Sequence, residues 1–272
     1  MERNLGIMTG FQDLDRLLYS IQGGDLCIVA ARPGLGKTSF SLNIIENVVL
    51  KNSNIGILFF SLEMTSEQLL TRLLCTISKL NLHSIREGIL DKLKFKILCK
   101  NINKLKKINL WVDDSSYLNI LDIKSKIKKF HSSNDLGLVI IDYIQLVDNI
   151  NSRLNREQQI SHVSRTLKNI AKEFRIPIIA LSQLNRESEK IERDPKLSDL
   201  RESGSIEQDA DSVIIITNYV KNFNFKNPHL NVRQLFVAKN RNGPTGTATL
   251  IFNNSITKFE NHFESKKVKR KK

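Results

Sequence analysis

The chain has 272 residues, with 42 Lys and Arg against 28 Asp and Glu, a formal net charge of +14 and an isoelectric point of about 9.7. That length holds one large α/β domain, and 40% hydrophobic residues with no apolar run of membrane-spanning length argue for a soluble protein rather than an integral membrane one. The basic surplus points first to a polyanionic partner such as nucleic acid, although Lys-rich surfaces also serve plain solvation. Part of the surplus is local, since six of the last seven residues (Lys266, Lys267, Lys269, Arg270, Lys271, Lys272) are basic. A folded domain over 1–262 and a disordered basic tail over 263–272 are therefore expected. Cys27, Cys75 and Cys99 lie far apart in apolar patterns and read as buried thiols of a reducing compartment, here the cytoplasm. The N-terminus lacks the apolar core of a signal peptide, and neither cysteines nor histidines show zinc-ligand spacing.

In chain order, residues 6–24 have helical spacing at Leu14, Leu17, Leu18 and Ile21, with Thr9 as a candidate cap and Gly23-Gly24 as the stop. Asp25 to Ser41, DLCIVAARPGLGKTSFS, is the stretch around which the chain is organised. A buried strand over Leu26 to Ala31 breaks at Arg32-Pro33-Gly34-Leu35-Gly36 and enters a helix at Lys37-Thr38-Ser39. A turn of this kind points backbone N–H groups inward, and the helix adds the positive end of its dipole, so the loop can cradle a polyphosphate. Lys37 is placed to reach the β- and γ-phosphates, and the Thr38 hydroxyl to ligate Mg²⁺. Ala31 stands where the strict pattern has its first Gly, a change of one methyl group that a negative φ tolerates.

A second apolar strand, Ile55 to Leu62, ends in Glu63, at the sheet edge where α/β proteins bind ligands. Glu63 either orients the water that attacks the γ-phosphate or simply opens the next helix, where Thr65 and Ser66 also look like caps. The helix from Thr65 to Leu80 has a wide buried face, and Lys-rich residues 81–107 continue in helical character. Asn109 to Asp113 is a short strand whose Asp113-Asp114 tip reads as a turn and cap signal. After a helix striped by Ile120, Ile123, Ile127 and Phe130, the strand Leu138 to Ile141 ends in Asp142. A carboxylate there, about 100 residues after the phosphate loop, is the Walker B arrangement that holds Mg²⁺. Tyr143 rather than Glu follows it, so the catalytic carboxylate must come from elsewhere.

The next helix, Glu157 to Arg175, leads to a strand over Pro177 to Leu181 and its exit Ser182-Gln183. The Gln183 amide can sense a γ-phosphate or merely end the strand. Asn185 to Ser205 is a long polar loop that can line a nucleic-acid channel. Strands over Val213–Thr217, Arg233–Ala238 and Thr247–Phe252 follow, the last two joined by an expected Asn242-Gly243 hairpin turn. Lys239 and Arg241 beside that turn can reach nucleic acid, reach a neighbouring subunit's γ-phosphate, or stay solvated.

Eight segments in order, GIMTGFQDLD, VAARPGLGKTSF, FFSLEM, WVDDSS, LVIIDYIQLV, IIALSQLNR, DLRESGSIEQDAD and AKNRNGPTGT, resemble the C-terminal ATPase domain of the DnaB-type replicative DNA helicases. The resemblance runs from residue 6 to about residue 260. It implies a RecA-like P-loop NTPase fold, with a central, mostly parallel sheet flanked by helices and a C-terminal β-hairpin. It implies ATP and Mg²⁺ as cofactors, with nucleotide bound by Arg32, Pro33, Gly34, Leu35, Gly36, Lys37, Thr38 and Ser39 and metal held by Thr38 and Asp142. Glu63 would activate water, Gln183 would report on the γ-phosphate, and Lys239 and Arg241 would act in trans as piston and arginine finger. Arg201, Glu202 and Gly204 would grip single-stranded DNA in the channel of a homo-hexamer, giving a 5′-to-3′ helicase. The family's N-terminal helical domain and linker helix have no counterpart in the sequence. An accessory single-strand-binding ATPase that does not unwind alone is therefore the alternative, with a full-length helicase, primase or loader as further partners.

Overall fold

The computed structural model describes residues 6–133, 135–148, 155–184, 197, 204–218 and 230–262. The strands are β1 (Leu26–Ala31), β2 (Gly56–Ser61), β3 (Leu110–Asp113), β4 (Leu136–Asp142), β5 (Ile178–Gln183), β6 (Ser212–Thr217), β7 (Leu230–Asn240), β8 (Gly246–Asn253) and β9 (Lys258–Asn261). The helices are α1 (Gln12–Leu18), α2 (Lys37–Lys51), α3 (Ser66–Ser78), α4 (Leu82–Arg86), α5 (Lys92–Leu105), α6 (Ile120–Ser133), α7 (Arg156–Phe174) and α8 (Gly204–Asp209), with one 3₁₀ turn at Ile144–Leu146.

All nine strands form one sheet in the order β3-β2-β4-β5-β1-β6-β7-β8-β9. From β3 to β6 every pairing is parallel, and from β6 to β9 every pairing is antiparallel. Strands β1 and β2 are buried along their whole length, as strands covered by helices on both faces must be. The two faces follow the strand period of two. Cys27, Val29 and Ala31 face a core shared with α1, α2 and α3, whereas Leu26, Ile28 and Ala30 face one shared with α6, α7 and α8. The central sheet is thus mostly parallel and flanked by helices, as expected.

Local details differ from the sequence expectation. The first helix spans only Gln12–Leu18 and stops at Tyr19, whose φ is 60°, well before Gly23-Gly24. The cause is the isolated bridge between Ile7 and Ile21, which turns the chain back on itself. Thr9 does not cap this helix: its N–H and hydroxyl both donate to the Asp15 carboxylate, at 2.8 and 2.6 Å. Residues 81–107 divide into α4 and α5, with Asn81 and Asp91 each accepting hydrogen bonds as N-caps. The C-terminal unit has a third strand, β9, whose Phe259 packs on Phe252 at 4.4 Å between ring centroids. The β7–β8 connection runs over 241–245 rather than a two-residue turn. Gly243 serves there through close approach, since a Cβ would meet the Leu17 carbonyl oxygen at 2.7 Å.

Candidate nucleotide site

The phosphate loop forms because β1 ends where two glycines are required. Gly34 has φ +79° and Gly36 φ +93°, a left-handed region in which L side chains are strained. Gly36 is also the N-cap of α2 and offers no side chain to its first amides, and the first turn carries no acidic residue. The opening N–H groups of α2 are therefore left for an anion. A cavity of about 320 Å³ lies over them, lined on this side by Arg32, Pro33, Gly34, Gly36, Lys37, Thr38 and Ser39. Leu35 instead packs against the apolar core beneath.

Sheet register brings the chemistry to the same edge. Ser61 pairs with Asp142 and Ala31 with Gln183, so β2, β4 and β5 all end beside the loop that leaves β1. The Thr38 hydroxyl donates to Asp142 Oδ2 at 2.6 Å. Lys37 Nζ lies 3.2 Å from Asp142 Oδ1, 4.0 Å from Glu63 and 4.0 Å from the centroid of the Tyr143 ring. Asp142 is 1% exposed, and its Oδ1 has no hydrogen-bond partner among the described residues. A buried carboxylate oxygen that takes no hydrogen bond and has the Lys37 ammonium as its counter-ion, beside the Thr38 hydroxyl, suits a hydrated divalent cation carried in with a polyphosphate. The residues present therefore fit Mg²⁺-nucleotide.

Glu63 lines the cavity with its side chain half exposed. Capping of α3 falls to others: Thr65 accepts from Gln68 in a reciprocal capping box, and Asp114 accepts the Ser66 N–H at 2.7 Å. The Glu63 carboxylate is thereby left facing the cavity. Gln183 also lines it. The Gln145 Oε1 accepts the Gln183 N–H at 3.3 Å, and the Gln145 amide donates to Ser182 Oγ at 2.9 Å.

Sequence reasoning missed three residues. Arg72 reaches the cavity from α3, and its Nε is buried without a hydrogen-bond partner among the described residues. Burial first, then nearby Arg86, pulls its pKa down, against the pull of Asp142 and Glu63. Its position between Leu69 and Leu73 on the buried face of an amphipathic helix was the available signal. Tyr143 supplies a ring beneath Lys37, and Gln145 braces the end of β5. Neither has a signal beyond proximity to Asp142.

Lys239 and Arg241 lie at the other edge. The Arg241 N–H donates to the Asp211 carbonyl at 2.8 Å, and the Asp211 N–H to the Leu26 carbonyl at 2.9 Å. Arg241 therefore sits at the start of β1, while the phosphate loop leaves its end. Six residues of strand separate the two by about 20 Å, so Arg241 does not reach the phosphate loop of its own chain. Of the expected DNA-binding residues, Arg201 and Glu202 lie outside the described residues, and Gly204 opens α8. The tail over 263–272 and most of the 185–205 loop also lie outside them.

The model of the DnaB-like helicase C terminal domain family matches residues 6–261. The chain belongs to that family. It is 46% identical over 259 residues to a probable replicative DNA helicase of Trieres chinensis, a match covering 93% of this chain and 57% of the relative. It is 42% identical over 261 residues to the replicative DNA helicase DnaB of Geobacillus stearothermophilus, covering 94% and 56%. The chain thus spans a little over half the length of these relatives. Among solved structures, a DnaB-like replicative helicase characterised with its primase interactions superposes with a TM-score of 0.88 at 33% identity, over 95% of this chain and 62% of that one. A second solved structure, an ATPase domain, superposes with a TM-score of 0.86 at 32% identity, over 95% and 92%. These likenesses establish the RecA-like ATPase fold for the DnaB-family chain. Among the described residues, no helix is long and apolar enough to cross a membrane.

Proposed function

We propose that this chain is the motor domain of an ATP-dependent replicative DNA helicase that moves 5′ to 3′ on single-stranded DNA as a homo-hexamer. The observation that carries the reading is the separation of Arg241 from its own phosphate loop by the length of β1. Each subunit holds a site with phosphate cradle, metal-binding pair and water-activating carboxylate, yet presents its second set of cations at the far edge. An ATP site completed by a neighbour's Lys239 and Arg241 uses both edges, because positive groups aimed at a transferring phosphoryl stabilise its developing charge.

In this reading the loop amides and Lys37 hold the β- and γ-phosphates, and Thr38 with Asp142 holds the metal. Bound Mg²⁺ supplies charge neutralisation across the phosphates. Glu63 accepts a proton from the attacking water, Gln183 hydrogen-bonds near the γ-phosphate, and Arg201, Glu202 and Gly204 contact the DNA backbone without reading sequence. Primase and a loader are the partners such a motor would meet.

The direct test is solution mass with Mg²⁺ and a non-hydrolysable ATP analogue, followed by unwinding of forks with a 5′ or a 3′ tail. A hexamer that opens only 5′-tailed forks supports the proposal. Hydrolysis and single-strand binding without unwinding would favour an accessory ATPase, and a persistent monomer would remove the in-trans site. Arg201→Ala should weaken single-strand binding and flatten its salt dependence. An unchanged slope would place the DNA contact elsewhere.

A further inference from the structure

Resting on the in-trans reading, we propose that Asp211 is the positioning residue for Arg241, holding the guanidinium in the orientation in which it meets the neighbour's ATP. Asp211 is 7% exposed and lies at the junction of three elements. Its Oδ2 accepts the Leu26 N–H at 2.8 Å and a hydrogen bond from Lys168. Lys168 is tied in turn to the Gly24 carbonyl at 2.7 Å. Oδ1 lies 3.3 Å from Arg241 Nη1, and the Asp211 carbonyl accepts the Arg241 N–H. Backbone and side chain of Arg241 are thus both fixed to one buried residue.

The end of α8 supplies the other half of the cradle. Arg241 Nη2 donates to the Gln208 carbonyl, and Lys239 donates to the Glu207 carbonyl. These are last-turn carbonyls that the helix itself leaves unpaired. The contacts occupy only part of the guanidinium's donor set, and 47% of the Arg241 side chain stays exposed. The geometry is that of a cation held from behind with its outer edge presented. Fixing a long side chain before the neighbour arrives removes an ordering cost from the step that uses it, and aims its donors in advance. Since α8 opens at Gly204, the same cradle joins the finger to one of the proposed DNA contacts.

The test uses mixed assemblies of the full chain. A Lys37→Ala subunit cannot use its own site but can donate Arg241. An Arg241→Ala subunit keeps its own site but has no finger. Mixing the two should restore ATP hydrolysis at donor–acceptor interfaces. Asp211→Asn placed in the donor should then lower kcat roughly ten-fold or more and leave KM for ATP unchanged. The same substitution placed in the acceptor should cost nothing. Asp211→Asn/Lys168→Met, which removes both members of the buried pair together, should repeat the donor-only loss if the single variant folds poorly. Equal losses from either subunit would make Asp211 merely structural. An unchanged kcat would also overturn the proposal, and a raised kcat would mean that Asp211 sequesters Arg241 instead. A parent mixture with no activity would overturn the in-trans reading itself, and the positioning role with it.

Discussion

The Thr38 hydroxyl donates a 2.6 Å hydrogen bond to the Asp142 carboxylate, joining the first turn of α2 to the tip of β4 across 104 residues of chain. The pair joins the two groups proposed to hold the metal. Asp142→Asn keeps the shape but halves the oxygen donors. ATP hydrolysis should fall by roughly 10²-fold or more, and the Mg²⁺ concentration for half-maximal rate should rise. A rate that falls with no change in metal dependence would assign Asp142 some other task.

Glu63 sits 4.0 Å from Lys37 and is not used to cap α3. Glu63→Gln should lower kcat by roughly 10² to 10⁴-fold, the range of a general base, while a fluorescent nucleotide analogue binds as before. Loss of binding in parallel with kcat would make the carboxylate a ligand-holding group.

The two loop glycines should respond differently to alanine. At Gly34 (φ +79°) a Cβ meets nothing within 4 Å, whereas at Gly36 (φ +93°) it meets the Phe259 and Phe252 rings at 3.1 and 3.2 Å. Gly34→Ala should cost about 1 kcal/mol of backbone strain. Gly36→Ala adds displacement of two packed aromatics and should cost roughly 2–4 kcal/mol. Chemical denaturation should rank Gly36→Ala well below Gly34→Ala, and equal stabilities would contradict the account.

Burial pushes the Cys27 thiol from 9.0 up to about 12 and the Cys75 thiol to about 11. Both are acids whose neutral form is favoured on folding. Their contribution to stability is full below pH 9 and declines as pH rises from there through about 11 to 12. Alkylation at pH 8 should modify the less buried Cys99 first. Early labelling of Cys27 would show that the centre of the sheet around β1 opens in the native state.

Arg72 has a buried Nε without a partner among the described residues and faces the same cavity as Glu63. Arg72→Met keeps the stem and removes the charge. If the guanidinium is reserved for phosphate, nucleotide affinity should fall roughly ten-fold with folding unharmed or improved. A destabilised protein with normal affinity would make it a structural cation.

Much of this was legible in the sequence because buried parallel strands announce themselves as continuous apolar runs. Once β1, β2, β4 and β5 are recognised, Glu63 just past the end of β2 and Asp142 and Gln183 at the ends of β4 and β5 fall at one edge by the direction of the strands alone. The loop glycines are equally legible, since no other residue meets their φ so readily. What escaped depends on contacts distant in sequence. The early end of α1 comes from the Ile7–Ile21 bridge, which no helical period reports. The short β9 exposes Glu260 but buries a single Phe259 and tucks Lys258 onto the buried Glu46, too little alternation to read. Arg72 and Gln145 matter only because α3 and the 3₁₀ turn pack beside the cavity.

If Arg241 acts in trans as proposed, its placement at one end of β1, with the phosphate loop at the other, gives each copy a polarity, with a giving end and a receiving end. Copies of such a molecule can complete one another head to tail, through two different surfaces. On that reading, an open string always carries one finger with no site and one site with no finger, whatever its length. Closing that head-to-tail string into a ring leaves neither idle, so opening such a ring to admit DNA would silence one site.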